Sequence, residues 1–182
     1  MNSNWFKLAM KITKVEYGKN LLLKGVPIIF NKGGAKLKIG ENVTIKSSFL
    51  SNLVGLYSRT IIVTRAPGAE IEIGDNSGMV IDCTLPSNVK IGDNVMMGPK
   101  CFFLAFNHAY KDKSKSIQSQ GYTDKKIIRI GNDVWIGREV LFTPGRIVKD
   151  GTVIAARTVV CKDFASYSVI GGNPARLIAT RE

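Results

Sequence analysis

The chain has 182 residues, 45% of them hydrophobic and 22% charged, which is the composition of one globular domain with a core of its own. No apolar run is long enough to span a bilayer. Lys and Arg outnumber Asp and Glu by 26 to 14, a formal charge of +12 that favours anionic partners. No recognition helix, zinc finger or RNA-binding aromatic motif accompanies that charge, which argues against nucleic acid.

Residues 1–20 place Trp5, Phe6, Met10 and Ile12 among Lys7, Lys11 and Lys14. They read either as a cap over the open end of the structure that follows or as a basic foot on an anionic membrane. The segment is too short and interrupted for a secretory signal, so a cytoplasmic protein is expected, at the inner face of the membrane if the foot reading holds. From Leu37 a coil pattern begins with Ile39 and Ile45. Ile45 to Ile73 is 28 residues, which is not a multiple of six, so an irregular coil is expected between Ser47 and Gly68.

A regular ladder follows. Ile73, Met79, Leu85, Ile91, Met97 and Phe103 are spaced by six, and so are Ile130, Ile136, Phe142, Val148, Ile154 and Val160. Two positions before most rungs stands a small or β-branched residue, and glycine or alanine often follows the rung. Neither a helix nor simple strand alternation gives this period. A hexad predicts a β-helix, three short strands per coil, and thus an all-β single domain over residues 1–182. Between the runs, residues 109–129 are polar, basic and aperiodic. If Ile91 stacks on Ile130, their offset of 39 is one coil of 18 plus an insertion of 21. A long loop leaving a rigid scaffold is commonly functional, and this one starts directly after the only histidine, His108. The tail, residues 166–182, leaves the ladder through Gly171-Gly172-Asn173-Pro174 and ends in a short helix or strand. Cys83 and Cys101, one coil apart, are expected to be small core residues, Cys161 is expected to be structural, and nothing has metal-site spacing.

Four features resemble, in order, the hexapeptide-repeat acyltransferases: Ile91-Gly92-Asp93-Asn94-Val95-Met96-Met97-Gly98-Pro99, then His108, then Ile130-Gly131-Asn132-Asp133-Val134-Trp135-Ile136-Gly137, then Gly172-Asn173-Pro174-Ala175. Within that family the sequence is most similar to sugar and polysaccharide O-acetyltransferases, relatives of the maltose and galactoside enzymes. The resemblance covers roughly residues 70–180. It implies a left-handed parallel β-helix, a homotrimer with active sites between subunits, and acetyl-CoA as acyl donor. It also implies His108 as general base, a role suited to imidazole near neutral pH. Trp135 matches a pocket residue; interface anchoring is its other reading. Many relatives carry an aspartate before the histidine. Here that position is Asn107, which is expected to fix the local turn or to contact substrate in the pocket instead, and Asp82, one coil earlier and also a pocket candidate, or a backbone carbonyl is left to orient the ring. The backbone N–H near Gly137 or Arg138 is the oxyanion candidate. Ala155, Ala156 and Thr158 match a small-residue wall along the pantetheine, and Lys162, Arg176 and Arg181 match phosphate contacts.

One histidine is too few for a zinc carbonic anhydrase of this architecture. Neither the helical domain of serine acetyltransferases nor a nucleotidyltransferase domain is expected in these 182 residues. The expected function is O-acetylation of a sugar or glycan, free or lipid-linked, in bacterial capsule, O-antigen or exopolysaccharide synthesis. The alternatives are an N-acetyltransferase of a nucleotide-linked amino sugar and a non-catalytic β-helix scaffold.

Overall fold

The computed structural model describes residues 10, 14–31, 34–48, 50, 58–64, 68–79, 84–85 and 88–182. Their backbone winds through three flat faces, A, B and C, in that repeating order. The first coil is β1 (Glu16–Tyr17), β2 (Leu22–Gly25) and β3 (Ile28–Asn31), and the second is β4 (Lys36–Ile39), β5 (Thr44–Ser47) and β6 (Ile61–Thr64). The third is β7 (Glu70–Ile73), β8 (Gly78–Met79) and β9 (Thr84–Leu85), and the fourth is β10 (Val89–Ile91), β11 (Met96–Met97) and β12 (Phe102–Phe103). The fifth is β13 (Ile128–Ile130), β14 (Trp135–Ile136) and β15 (Leu141–Phe142), and the sixth is β16 (Ile147–Val148), β17 (Val153–Ile154) and β18 (Val159–Val160). Each strand pairs in parallel with its counterparts one coil away, which makes a triangular prism, the left-handed parallel β-helix. Finally β19 (Ser168–Gly171) stacks on β17, and β20 (Arg176–Thr180) returns antiparallel along it, closing the edge of face B.

The hexad is the inward register. Ile91 pairs with Ile73 and with Ile130, so the 21 residues between the two runs are an insertion that leaves the register intact. Leu85 and Cys83 aside, the rungs and the residues two before them are buried from Ile71 to Val160, Arg146 excepted. Phe103 and Phe142 stack inside with centroids 4.5 Å apart and planes inclined by 16°. Glycine follows the rung because coils touch there. A Cβ on Gly92 would sit 2.7 Å from the Gly131 carbonyl oxygen, a spacing no side chain tolerates. The A/B corner is sealed by a side-chain ladder. Asp93 Oδ1 accepts from the Asp75 N–H at 2.7 Å, Asn132 Oδ1 from Asp93 at 2.8 Å and Asp150 Oδ1 from Asn132 at 2.7 Å.

The coils begin earlier than Leu37. Tyr17 pairs with Ile39 across an offset of 22, and Ile39 with Ile73 across 34, so the irregular coils are the first two. The expected irregularity after Ser47 is the connection from β5 to β6. Residues 1–9 and 11–13, which carry most of the cap and basic-foot readings, lie outside the described residues, as do Asp82 and Cys83. Met10 is buried, its carbonyl accepting from the Val15 N–H. Cys101 is in the core, whereas Cys161 is exposed. Among the described residues no helix is long and apolar enough to cross a membrane.

Candidate active site

His108 leaves the prism at the edge between faces C and A. β12 runs into Ala105, whose carbonyl accepts from Lys126 N–H at 2.9 Å, so the insertion begins and ends at that corner. Beyond it the chain forms a hairpin. Ala109 N–H donates to the Gly121 carbonyl at 3.0 Å and Thr123 N–H to the Asn107 carbonyl at 2.8 Å, which pairs His108 with Tyr122 across an antiparallel bridge. Thr123 Oγ1 accepts from Asn107 N–H at 3.0 Å. The outer part of the loop is organised by Asp112. Its carboxylate takes the Ser114 N–H and Oγ and the Lys115 ammonium, contacts that hold it below the usual aspartate range, the Ser114 hydroxyl contributing most. Gln120 Nε2 donates to the Asp112 and Lys115 carbonyls, closing a 3₁₀ turn over Ile117–Gln120. The loop is therefore a hydrogen-bonded bracket. The His108 ring is exposed, as alternation from Phe103 requires, and its centroid lies 4.6 Å from that of Tyr122.

Trp135 is elsewhere. It projects from β14 on face B, 54% exposed, in register with Met96 below and Val153 above. With Asn94, Asp133, Val134 and Arg181 these residues line a recess of about 350 Å³. Arg181 reaches it from the tail, held by Asp133 Oδ2 at 2.8 Å. The next corner, between faces B and C, stacks Gly98, Gly137 and Ala155, each donating its N–H one coil upward, to Ile136, Ile154 and Ile170. That bond removes Gly137 as an oxyanion donor, because its N–H is already given to the Ile154 carbonyl at 2.8 Å. Arg138 keeps that candidacy. Arg138 also pairs with Glu139, whose carboxyl is held below its ordinary range by Arg157 first and Arg138 second. Ala155 and Ala156 are exposed along this corner. Thr158 is a correction: its side chain is fully buried two positions before the Val160 rung and donates to the Ala155 carbonyl at 2.7 Å, so it cannot line a surface wall.

The expected phosphate-binding cations divide between edges. Arg176 opens β20 on the B side and is exposed. Lys162 follows β18 at the C/A corner, the edge of His108, with its ammonium 5.3 Å above the Phe164 ring. Asn107 stays beside His108, its backbone engaged by Thr123. One chain thus brings together His108, Asn107 and Lys162 on one edge. It brings together Trp135, Arg138, Ala155, Ala156, Arg176 and Arg181 around the opposite face. In a triangular prism the C/A edge lies across from face B, so the two groups cannot meet within one coil stack. Tyr122, Thr123 and Phe106 beside the histidine carry no periodic signal in the sequence. Met96 had one, its outward parity next to a rung. Among the described residues, no group of three or more His, Cys, Asp or Glu is placed to hold a metal.

No family model matches the sequence. The chain is 30% identical over 183 residues to a probable acetyltransferase of Mycobacterium tuberculosis, across 98% of this chain and 56% of that one. It is 34% identical over 113 residues to the galactoside O-acetyltransferase of Escherichia coli, 61% of this chain and 54% of that one. It is 48% identical over 63 residues to a chloramphenicol acetyltransferase of Agrobacterium fabrum, 35% of this chain and 30% of that one. The chain spans about a third to just over half the length of these relatives. Among solved structures, a hexapeptide-repeat acetyltransferase of Vibrio cholerae complexed with acetyl coenzyme A has the same fold. It superposes with a TM-score of 0.62 at 20% identity, over 100% of this chain and 79% of that one.

Proposed function

We propose that this chain, a member of the hexapeptide-repeat acyltransferase family, is an acetyl-CoA-dependent O-acetyltransferase of a sugar hydroxyl, working as a homotrimer. The observation that carries the reading is the placement of the only histidine, exposed on a rigid bracket at one prism edge, while Trp135 stands on the face across from it. A second copy docked edge to face would bring one subunit's His108 to the other's Trp135. The faces suit that assembly. Outward positions of face A are charged, with Lys36 and Lys90 bridging Glu70 and Glu72. Those of face B expose Leu22, Met96 and Trp135, and those of face C expose Ile28, Phe30 and Phe102. Apolar area of this kind is commonly covered in oligomers.

In the mechanism, acetyl-CoA lies between two prisms along the Gly137–Ala155 edge, with its phosphates near Arg176 and, from the other copy, Lys162. The His108 imidazole takes the acceptor hydroxyl proton as that oxygen attacks the thioester carbonyl. The new C–O bond forms, the C–S bond breaks, and the proton passes from the imidazole to the CoA thiolate. The Arg138 N–H would face the carbonyl oxygen as negative charge gathers on it.

The excess positive charge and the lysine-rich loop support an anionic or lipid-linked glycan of bacterial surface-polysaccharide synthesis as acceptor, with the basic N-terminus resting on the inner face of the membrane. The test is thiol release from acetyl-CoA against a panel of neutral sugars, acidic oligosaccharides, amino-sugar nucleotides and chloramphenicol. Wild type is run beside His108→Ala, with anionic vesicles in a parallel binding assay. Release with a sugar hydroxyl that disappears in the variant supports the reading. Preference for an amine or for chloramphenicol refutes sugar O-transfer, and indifference to acidic glycans and vesicles refutes the surface-polysaccharide lean.

A further inference from the structure

We infer that Tyr122 is the positioning residue for His108, holding the imidazole by ring contact in place of the carboxylate partner; this rests on His108 being the base proposed above. Among the described residues, no side chain or carbonyl hydrogen-bonds the His108 imidazole within one chain, and Asn107 occupies the place before it. An unrestrained imidazole on a loop samples several rotamers and is badly aimed for most of the time. Two features restrain this one.

The first is the backbone. Thr123 clamps Asn107 through its N–H, at 2.8 Å from the carbonyl, and through its hydroxyl, at 3.0 Å from the N–H. Ala109 bonds Gly121 at 3.0 Å on the other side. His108 and Tyr122 are thereby directly opposite each other, the arrangement that brings cross-strand side chains into contact. The second is the tilted ring contact. The His108 and Tyr122 centroids lie 4.6 Å apart with planes inclined by 39°. Phe106 meets Tyr122 edge-on at 5.3 Å and 86°, bracing it from the side nearest the coil. Tyr122 is itself 65% exposed, so solvation alone gives its ring no reason to lie there. The tilted ring contact leaves both imidazole nitrogens without a partner among the described residues, open to an acceptor hydroxyl and to a thiolate.

The chain's single histidine makes the test direct, because its imidazole gives one set of proton resonances. Wild type should show a nuclear Overhauser contact between the His108 and Tyr122 rings and an upfield ring-current shift of the histidine protons. Tyr122→Phe should keep both the shift and the turnover. Tyr122→Leu keeps a bulky strand-compatible residue but no ring face. It should move the histidine resonances downfield and lower kcat by about ten- to a hundredfold through misplacement of the base, with the KM for acetyl-CoA unchanged. Unchanged resonances in Tyr122→Leu, or full kcat in that variant while His108→Ala is inactive, would overturn the assignment. Loss of turnover in Tyr122→Phe as severe as in Tyr122→Leu would also overturn it, since the hydroxyl would then be the active group. Should wild type transfer acetyl to nothing, the proposed function fails, while the resonance shifts still decide the ring contact.

Discussion

Gly92→Ala isolates the contact between coils from any effect of backbone conformation. The added Cβ would lie 2.5 Å from Asn132 Oδ1, 2.7 Å from the Gly131 carbonyl oxygen and 2.8 Å from its carbon. None of these atoms can retreat cheaply. Gly131 is fixed between Ile130, whose carbonyl takes the Gly92 N–H at 2.9 Å, and Val148, whose carbonyl takes its own N–H at 2.8 Å. Asn132 Oδ1 is held by the Asp93 N–H at 2.8 Å. Overpacking of this kind costs about 1–3 kcal/mol, and losing the Asn132 bond adds about 1 kcal/mol. At roughly 2–4 °C per kcal/mol for a chain of this size, thermal unfolding should fall by about 5–15 °C. Circular dichroism melts at one fixed protein concentration would measure it, since the proposed assembly would make the midpoint concentration-dependent. Gly121→Ala is the comparison: its φ of +73° with ψ of −137° favours glycine and no atom lies within 4 Å of the added carbon, so only backbone strain of roughly 1–3 kcal/mol applies. A Gly92→Ala protein that melts with wild type would refute the close-contact explanation.

Other outcomes follow from the same geometry. The Glu72 carboxyl is drawn from 4.5 to about 2 by hydrogen bonds from Lys36 and then Lys90. Its folded value is below its unfolded one, so its stabilisation is complete above pH 4.5 and disappears as pH falls toward 2. Glu72→Gln should therefore melt below wild type near neutral pH, with a gap that closes in strong acid; a gap that persists there contradicts the assignment. Leu141→Lys puts a charge on the outward side of face C and should yield monomers by light scattering, with acetyl transfer lost. A fully active trimer would contradict the interface. Arg176→Ala and Lys162→Ala should each raise the KM for acetyl-CoA about three- to tenfold with little change in kcat. A fall in kcat at constant KM would place them in the chemistry instead.

The regular coils were legible because each rung repeats one physical demand, an apolar side chain entering a narrow prism. The first coil carried the same signal in Tyr17, Leu23 and Ile29, spaced by six, yet Pro27 interrupts the pattern of small partners and the offsets of 22 and 34 hide the stacking. The outward parity of His108 and Trp135 was legible for the same reason that the core was. The burial of Thr158 was legible too, from its place two before Val160, and resemblance to a surface wall obscured it. The bracket around His108 was not, because a hairpin pinned by Thr123, Gln120 and Asp112 depends on individual hydrogen bonds that have no period. The separation of His108 from Trp135 went unread for another reason. Counting three rungs per coil does set His108 after the third-face rung Phe103 and Trp135 beside the second-face rung Ile136, but the resemblance, which joins both in one site, obscured it.

The central claim is that one site needs two copies of the chain, and subunit mixing tests it directly. His108→Ala and Trp135→Ala should each be inactive as pure trimers. Unfolded together in equal amounts and reassembled, they should regain about a quarter of wild-type acetyl transfer, because about one interface in four joins an intact histidine to an intact tryptophan. A mixture that assembles and binds CoA yet stays as inactive as its parents would mean that the site lies within a single chain, and the account would be wrong.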